Sequence, residues 1–199
     1  MKWCQRALTL PVVLAGALAV GSAVLQAGPG LPERQTSGAQ SLAPYVPTPQ
    51  DVVEKMLELA GVTAADVVYD LGCGDGRLVI TAARKYGARG VGIDIDPDRI
   101  AESEANARKA GVESLVGFRL QDAMKADVSP ATVVTLYLLS SSNMRLRPLL
   151  TAQLRPGARI VSHAFSMGDW TPDKVETFKD ANGSSRTLYL WRTDGKVRP

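Results

Sequence analysis

The stretch that says most about the fold is Tyr69-Asp70-Leu71-Gly72-Cys73-Gly74-Asp75-Gly76-Arg77. The apolar run at residues 66–70 predicts a short buried strand, and residues 77–86 predict a helix that stops at Gly87. Glycines between such elements allow a tight turn and a close approach of a ligand to the backbone. Since open α/β sheets bind ligands beyond the carboxyl ends of their strands, the segment predicts a ligand site at this turn.

The spacing of the loop separates two classes of ligand. Gly72, Gly74 and Gly76 form G-x-G-x-G, whereas dinucleotide-binding proteins carry G-x-G-x-x-G. The dinucleotide pattern sets a pyrophosphate on a helix N-terminus, and the carboxylates of Asp70 and Asp75 would repel it. These acids instead favour a cationic ligand with an ammonium and a sulfonium, as in S-adenosylmethionine (SAM). For the glycines alone, an ordinary tight turn remains the alternative.

Two further acids end predicted strands. Asp94 closes the second strand, where a carboxylate can accept hydrogen bonds from both hydroxyls of a ribose. Asp122 closes the third and is a candidate acceptor for an adenine amine, with a solvated loop acid as the alternative. Asp96 precedes Pro97 and is better interpreted as the N-cap of the next helix.

Strand and helix patterns alternate along most of the chain. Predicted helices cover residues 49–60, 77–86, 97–111 and 143–154, and predicted strands cover 66–70, 90–95, 116–121, 132–138 and 159–163. Residues 174–178 and 187–192 flank Asn182-Gly183 and predict a β-hairpin. We therefore expect an α/β fold, namely a Rossmann-like, doubly wound, mostly parallel sheet with a C-terminal antiparallel hairpin.

These motifs resemble those of class I SAM-dependent methyltransferases. Residues 69–76, Asp94 and the pair Gln121-Asp122 are similar to that family's first three cofactor motifs. More narrowly, the chain resembles the small lysine methyltransferases of the ATP synthase c-subunit and the adenine nucleotide translocase, together with bacterial relatives. Residues 45–49, 75–77 and 163–170 carry this narrower resemblance.

The resemblance implies a set of cofactor-binding residues, with SAM as the cofactor. The set is Tyr45, Thr48, Asp70, Gly72, Gly74, Asp75, Gly76, Asp94 and Asp122. Tyr45 and Thr48 are expected to close over the cofactor from the N-terminal side. For Thr48, which precedes Pro49, an N-cap of the following helix is the equal alternative.

Fewer residues in the sequence indicate how the methyl acceptor is bound. Tyr137 and His163 end the fourth and fifth predicted strands and are the candidate catalytic residues, for orientation or proton acceptance. The [DN]-P-P-[YF] motif of amide- and base-directed methyltransferases is replaced by Leu138-Leu139-Ser140-Ser141. Cys73 is the single cysteine after Cys4, which excludes a two-cysteine mechanism of carbon methylation.

The charge and the composition of the chain limit the classes of binding partner that we expect. The net charge falls from +3 to +1 when Lys2 and Arg6 of the N-terminal segment are set aside. No basic run remains, so general nucleic-acid binding is not expected. Two cysteines and one histidine predict neither a disulfide framework nor a metal site.

The N-terminus predicts targeting. Residues 1–27 combine Lys2 and Arg6 with an apolar, small-residue run, as in a secretory signal or an uncleaved membrane anchor. Residues 28–44 predict a flexible linker, and residues 45–199 the methyltransferase domain. Both versions of the segment put the domain outside the cytoplasm, exported or membrane-anchored.

The expected function is protein-lysine N-methylation by a monomer, with a protein substrate such as a membrane-protein lysine. Two alternatives remain at this stage, a small-molecule methyltransferase and an exported SAM-fold binding protein without catalysis. The second arises because SAM is made inside cells whereas the N-terminus predicts export.

Overall fold

The computed structural model describes residues 41–199. The predicted segment 1–27 and residues 28–40 of the predicted linker lie outside the described residues. Contacts with the domain begin before Tyr45, because Leu42 and Ala43 pack against its core. Within residues 41–199, no helix has both the length and the apolar character needed to cross a bilayer.

The described residues form seven strands, four helices and one 3₁₀ turn. Their order is α1 (Gln50–Ala60), β1 (Val67–Leu71), α2 (Arg77–Tyr86), β2 (Arg89–Asp94), α3 (Pro97–Ala110), β3 (Val116–Leu120), a 3₁₀ turn (Ala123–Lys125), β4 (Val133–Leu136), α4 (Ser140–Gln153), β5 (Arg159–His163), β6 (Lys174–Lys179) and β7 (Ser185–Arg192). The predicted elements are all present, with boundaries shifted by a few residues.

One sheet of order β3-β2-β1-β4-β5-β7-β6 contains all seven strands. The first five are parallel, and β7 runs antiparallel to both β5 and β6. The predicted fold class, a mostly parallel sheet with an antiparallel terminal hairpin, is confirmed. The strand order reverses between β1 and β4, which is where such sheets leave a crevice for ligands.

Helices cover both faces of the sheet. On one face, apolar residues of α1 and α2 pack against Val68, Val133 and Val161. On the other, Leu146 and Leu150 of α4 pack against Leu71 and Leu136. With both faces covered, the central strands are buried, and this explains why their sequences are almost continuously apolar.

Two helix starts differ from the prediction. Helix α1 has Pro49 as its N-cap, without a side-chain cap, so the alternative role of Thr48 as N-cap is wrong. Helix α4 begins at Ser140, three residues before the predicted start. Its first turn consists of serines, which carry no apolar periodicity that a sequence pattern could detect. Asp96 caps α3 as expected, and its Oδ1 accepts from the Asp98 N–H at 2.8 Å.

Candidate active site

A cavity of about 370 Å³ opens at the carboxyl ends of β1, β2 and β4. Its floor is the loop between β1 and α2, where Gly72 and Gly74 adopt φ of 83° and 54°. A side chain at Gly74 would come within 2.5 Å of the Tyr45 ring, and one at Gly72 within 3.1 Å of Leu138. Glycine is favoured at both positions because their φ values are positive, and at Gly74 also because the Tyr45 ring lies directly on the loop.

Asp94 holds the loop in place from β2. Its Oδ2 accepts from the Gly74 N–H at 2.9 Å, and its Oδ1 accepts from the Asp96 N–H at 3.0 Å. Each carboxylate oxygen has a second lone pair, so Asp94 can still accept hydrogen bonds from a ligand. It lines the cavity, as the ribose role requires.

Asp70 lies at the bottom of the cavity with 7% of its surface exposed. The Thr135 hydroxyl donates to its Oδ1 at 2.8 Å. Burial, together with the nearby carboxylates of Asp94 and Asp75, raises the pKa of Asp70 to about 7, against the effect of the Thr135 hydrogen bond. A cation bound at this point would favour the charged carboxylate.

The carboxylate of Asp75 has a cationic partner that the sequence pattern did not predict. Its carboxylate pairs with Arg77, with Nε 2.9 Å from Oδ1 and 3.0 Å from Oδ2. Despite its burial, the Arg77 guanidinium lowers the pKa of Asp75. Asp75 lines the cavity, but Arg77 offsets its negative charge, so that of the two acids expected to repel a pyrophosphate only Asp70 is left without a cationic partner among residues 41–199.

The N-terminal segment 41–48 forms one wall of the cavity. Arg77 Nη1 donates to the Thr48 carbonyl at 2.7 Å, and the Ser142 hydroxyl donates to the Leu42 carbonyl. The guanidinium of Arg99 lies 4.6 Å from the centre of the Tyr45 ring. This wall is thus attached to both α2 and α4, and Tyr45 and Thr48 line the cavity.

Two predicted cofactor residues do not line the cavity. A side chain at Gly76 would come within 2.8 Å of Phe118 and Ser103, so this glycine permits packing of α2 against α3 and β3. Asp122 accepts from the Met124 N–H at 2.9 Å and caps the 3₁₀ turn. Its neighbours Gln121 and Ala123 face the cavity instead.

The two candidate catalytic residues are neighbours with different access. Tyr137 lines the cavity, whereas His163 lies beside it with 1% exposure, and their ring centres are 4.1 Å apart. Burial, and to a lesser degree Arg186, lowers the pKa of His163 to about 4. The imidazole is therefore neutral at pH 7, and its Nδ1 has no hydrogen-bond partner among the described residues.

Sequence reasoning missed two residues at the site. Thr135 is a buried hydroxyl within the apolar strand Val133-Val134-Thr135-Leu136, and that isolated polar residue is a usable signal. Nothing in the sequence marked Arg99 as a site residue, since an arginine on an amphipathic helix is ordinary.

Burial and adjacent acids raise the pKa of the Cys73 thiol, so this cysteine is not a nucleophile.

Comparison with known proteins agrees with this geometry. Residues 70–174 match the family model of the ANTKMT methyltransferase domain. The chain is 46% identical over 149 residues to a protein-lysine N-methyltransferase of Saccharolobus islandicus, covering 74% of this chain and 92% of that protein. The chain belongs to this methyltransferase family.

Two further relatives extend the comparison of this SAM-dependent methyltransferase. The Homo sapiens lysine N-methyltransferase of the ATP synthase c-subunit is 30% identical over 132 residues, covering 66% of this chain and 56% of that protein. A crystal structure of an RNA methyltransferase from Salinibacter ruber, in complex with S-adenosyl-L-homocysteine, is 55% identical. It superposes with a TM-score of 0.72 over 77% of this chain and 97% of that chain.

SAM is the cofactor of this family, and the cavity fits it. The glycine loop brings the backbone to the cavity wall, and Asp70 and Asp94 supply acceptors at two adjacent strand ends. That donor and acceptor set suits a ligand with an ammonium and a ribose.

Proposed function

We propose that the chain is a protein-lysine N-methyltransferase. The observation that carries the proposal is a single cavity with two kinds of lining. Asp70 and Asp94 form a polar, acidic side, and Tyr137 and Leu138 line the same cavity close to them. The identity to the protein-lysine N-methyltransferase of Saccharolobus islandicus supports a lysine as the acceptor.

In this proposal each acid has one task toward the cofactor. Asp94 accepts hydrogen bonds from the ribose hydroxyls, and Asp70 accepts from the ammonium of the methionine moiety. Bound SAM supplies a methyl group on a sulfonium, which is already activated for displacement. The chain's own contribution is therefore mainly to hold the reactants in line.

On the acceptor side, the lysine nitrogen must be uncharged so that its lone pair can form the new bond to carbon as the sulfur–carbon bond breaks. A partly apolar pocket lowers the pKa of an entering ammonium and favours loss of its proton to solvent. In this proposal Tyr137 orients the nitrogen through its hydroxyl, and the His163 ring, 4.1 Å from the Tyr137 ring centre to centre, supports it by packing. With a pKa of about 4, His163 is a weak proton acceptor.

RNA is the second candidate acceptor, because the Salinibacter ruber neighbour is described as an RNA methyltransferase. The absence of a basic run after residue 27 weighs against RNA, since binding to nucleic acid rests on cationic contacts to phosphates.

The N-terminal segment 1–27 favours a membrane protein as the substrate and a location at or beyond a membrane.

The proposal is tested with the full chain and methyl-labelled SAM. Membrane proteins, soluble proteins, RNA and small metabolites are offered as separate acceptor pools. We expect label in protein, at lysine after hydrolysis and amino-acid analysis. Label confined to RNA or to metabolites would replace lysine as the acceptor, and SAM binding with no transfer to any pool would make the chain a binding protein.

Replacing Tyr137 with phenylalanine is expected to lower kcat about tenfold, because one orienting hydrogen bond is lost. The Kd for SAM should stay within about twofold, since Tyr137 is assigned to the acceptor. The measurement is steady-state kinetics beside calorimetry. Tyr86→Phe, at the end of α2 and away from the cavity, is the matched control. An unchanged kcat for Tyr137→Phe would remove the orienting role.

A further inference from the structure

Asp70 and Thr135 are fixed opposite each other by the sheet. In the parallel register, Asp70 pairs with Gly92 of β2 on one side and with Thr135 of β4 on the other. Partners in register point to the same face of a sheet, so the Thr135 hydroxyl meets the Asp70 carboxylate. Gly92 has no side chain that could approach from the other side.

Asp70 is the least compensated of the three acids at the cavity. Asp94 accepts from two backbone N–H groups, and Asp75 has the Arg77 guanidinium. Asp70 accepts one hydrogen bond from a side chain, the neutral hydroxyl of Thr135, and its Oδ2 accepts none from residues 41–199. In the absence of a cationic ligand, the negative charge of Asp70 is therefore stabilised by the Thr135 hydroxyl.

We propose that Thr135 is a positioning residue that keeps Asp70 charged, and so sets the pH range in which the cavity accepts a cationic cofactor. This inference rests on the proposed role of Asp70 toward the ammonium. Thr135 itself is fully buried and does not line the cavity, so it acts through Asp70.

The Thr135 hydroxyl favours the charged form of Asp70 over the protonated form. Toward the carboxylate it donates across 2.8 Å. Toward the protonated acid it can accept the carboxyl proton and donate its own to the Tyr69 carbonyl, 3.3 Å away. Since 2.8 Å is close to the ordinary length of an O–H···O hydrogen bond and 3.3 Å is longer, the hydroxyl stabilises the carboxylate more than the protonated acid.

The pH dependence follows from the surroundings of Asp70. The titratable and charged groups around it are Asp94 at the end of β2, Cys73 and Asp75 in the loop, and Arg77 at the start of α2, which pairs with Asp75. The pKa of Asp70 is about 7, raised chiefly by burial. Since the ammonium binds the charged form, SAM affinity should rise as the pH increases through 7.

The test compares Thr135→Val with Thr135→Ser by calorimetry with SAM from pH 5.5 to 9. Valine keeps the shape of threonine and removes the hydroxyl, and serine keeps the hydroxyl. For the valine variant we expect the midpoint of the affinity profile to move up by about one pH unit, because a hydrogen bond to the charged form is lost. Affinity at pH 7 should fall about fivefold and approach the wild-type value near pH 9. Titration of SAM itself is common to all variants and cancels in the comparison.

A second measurement on the ligand-free protein separates the two parts of the inference. The side-chain carboxyl carbon of Asp70, assigned through Asp70→Asn, is titrated by NMR in the wild type and in both variants. An unchanged midpoint in Thr135→Val overturns the role of Thr135. A shifted midpoint with an unshifted SAM profile overturns the role of Asp70 toward the ammonium, and no SAM binding at any pH overturns the proposed function. Shifts in both for valine, and in neither for serine, support the inference.

Discussion

Replacing Asp94 with alanine is expected to weaken SAM binding by at least about 100-fold. Two charge-assisted hydrogen bonds to the ribose are lost, each contributing about 1.5–3 kcal/mol, and each 1.4 kcal/mol corresponds to a factor of ten. The substitution also frees the Gly74 N–H, which holds the glycine loop against β2, and the N–H of Asp96, the residue that caps α3. Calorimetry with SAM at pH 8, where Asp70 is largely charged, measures the effect.

Two companion variants sharpen this prediction. Glu104→Ala removes the same charge from an exposed position on α3 and should leave the Kd within about twofold. Asp94→Asn keeps one acceptor oxygen and should fall between the alanine variant and the wild type. If Asp94→Ala bound SAM as tightly as Glu104→Ala, the ribose role of Asp94 would be refuted.

Replacing Asp66 with asparagine is expected to lower the free energy of unfolding by about 2–4 kcal/mol. Asp66 precedes β1 at the end of the sheet away from the cavity. Its carboxylate accepts from the N–H of Thr63 at 2.8 Å and from the Thr132 hydroxyl at 2.7 Å, and it pairs with Arg159 of β5. Asparagine leaves the largely buried Arg159 guanidinium without its counter-charge and offers an amide donor where the carboxylate accepted.

Urea unfolding as a function of pH checks the Asp66 prediction. Hydrogen bonds from Thr132 and Thr63, with the Arg159 charge, lower the pKa of Asp66 despite its burial. A lowered pKa stabilises the fold above the ordinary value of 3.8, and this stabilisation is lost as the pH falls through the folded value. The difference between wild type and variant should therefore be largest near neutral pH and shrink below about pH 4.

Glu58→Gln is the control for Asp66, since it breaks an exposed pair with Lys55 and should cost less than about 0.5 kcal/mol. The SAM affinity of Asp66→Asn should match the wild type, because the cavity lies at the other end of β1. A loss no larger than that of Glu58→Gln would contradict the prediction, and a loss of SAM affinity would show that the two ends of the strand are coupled.

Much of the fold is readable from local patterns. Alternating strands and helices, Gly87 and Gly111 at helix ends, and Asn182-Gly183 between two strands suffice for the parallel sheet and its hairpin. The position of the cavity follows as well, because the carboxyl ends of parallel strands meet at one edge. From the sequence alone, that rule brings Asp70, Asp94 and Tyr137 to the same edge.

The same patterns do not specify the local partners of individual charges and caps. The structure pairs Asp75 with Arg77, and Asp122 caps a 3₁₀ turn, neither of which the spacing of the acids predicts. Local hydrogen bonds of an acid compete with its binding to a ligand. Which partner the carboxylate binds depends on its side-chain rotamer, and sequence spacing does not specify that rotamer. Gly76, predicted to contact the ligand, does not line the cavity and permits packing against Phe118, a contact distant in sequence that the loop pattern does not show.

The amino-acid order alone thus specifies the sheet, the glycine loop and the edge at which the ligand binds, since these depend on periodicity and on backbone freedom. Only the packed structure distinguishes the acids from one another. It pairs Asp75 with Arg77, sets Thr135 against Asp70 and places His163 behind Tyr137. The pairing of Asp75 with Arg77 is local to the loop and the first turn of α2. The other two contacts join residues up to 65 positions apart, and they exist because the register of neighbouring strands brings specific side chains to the same face.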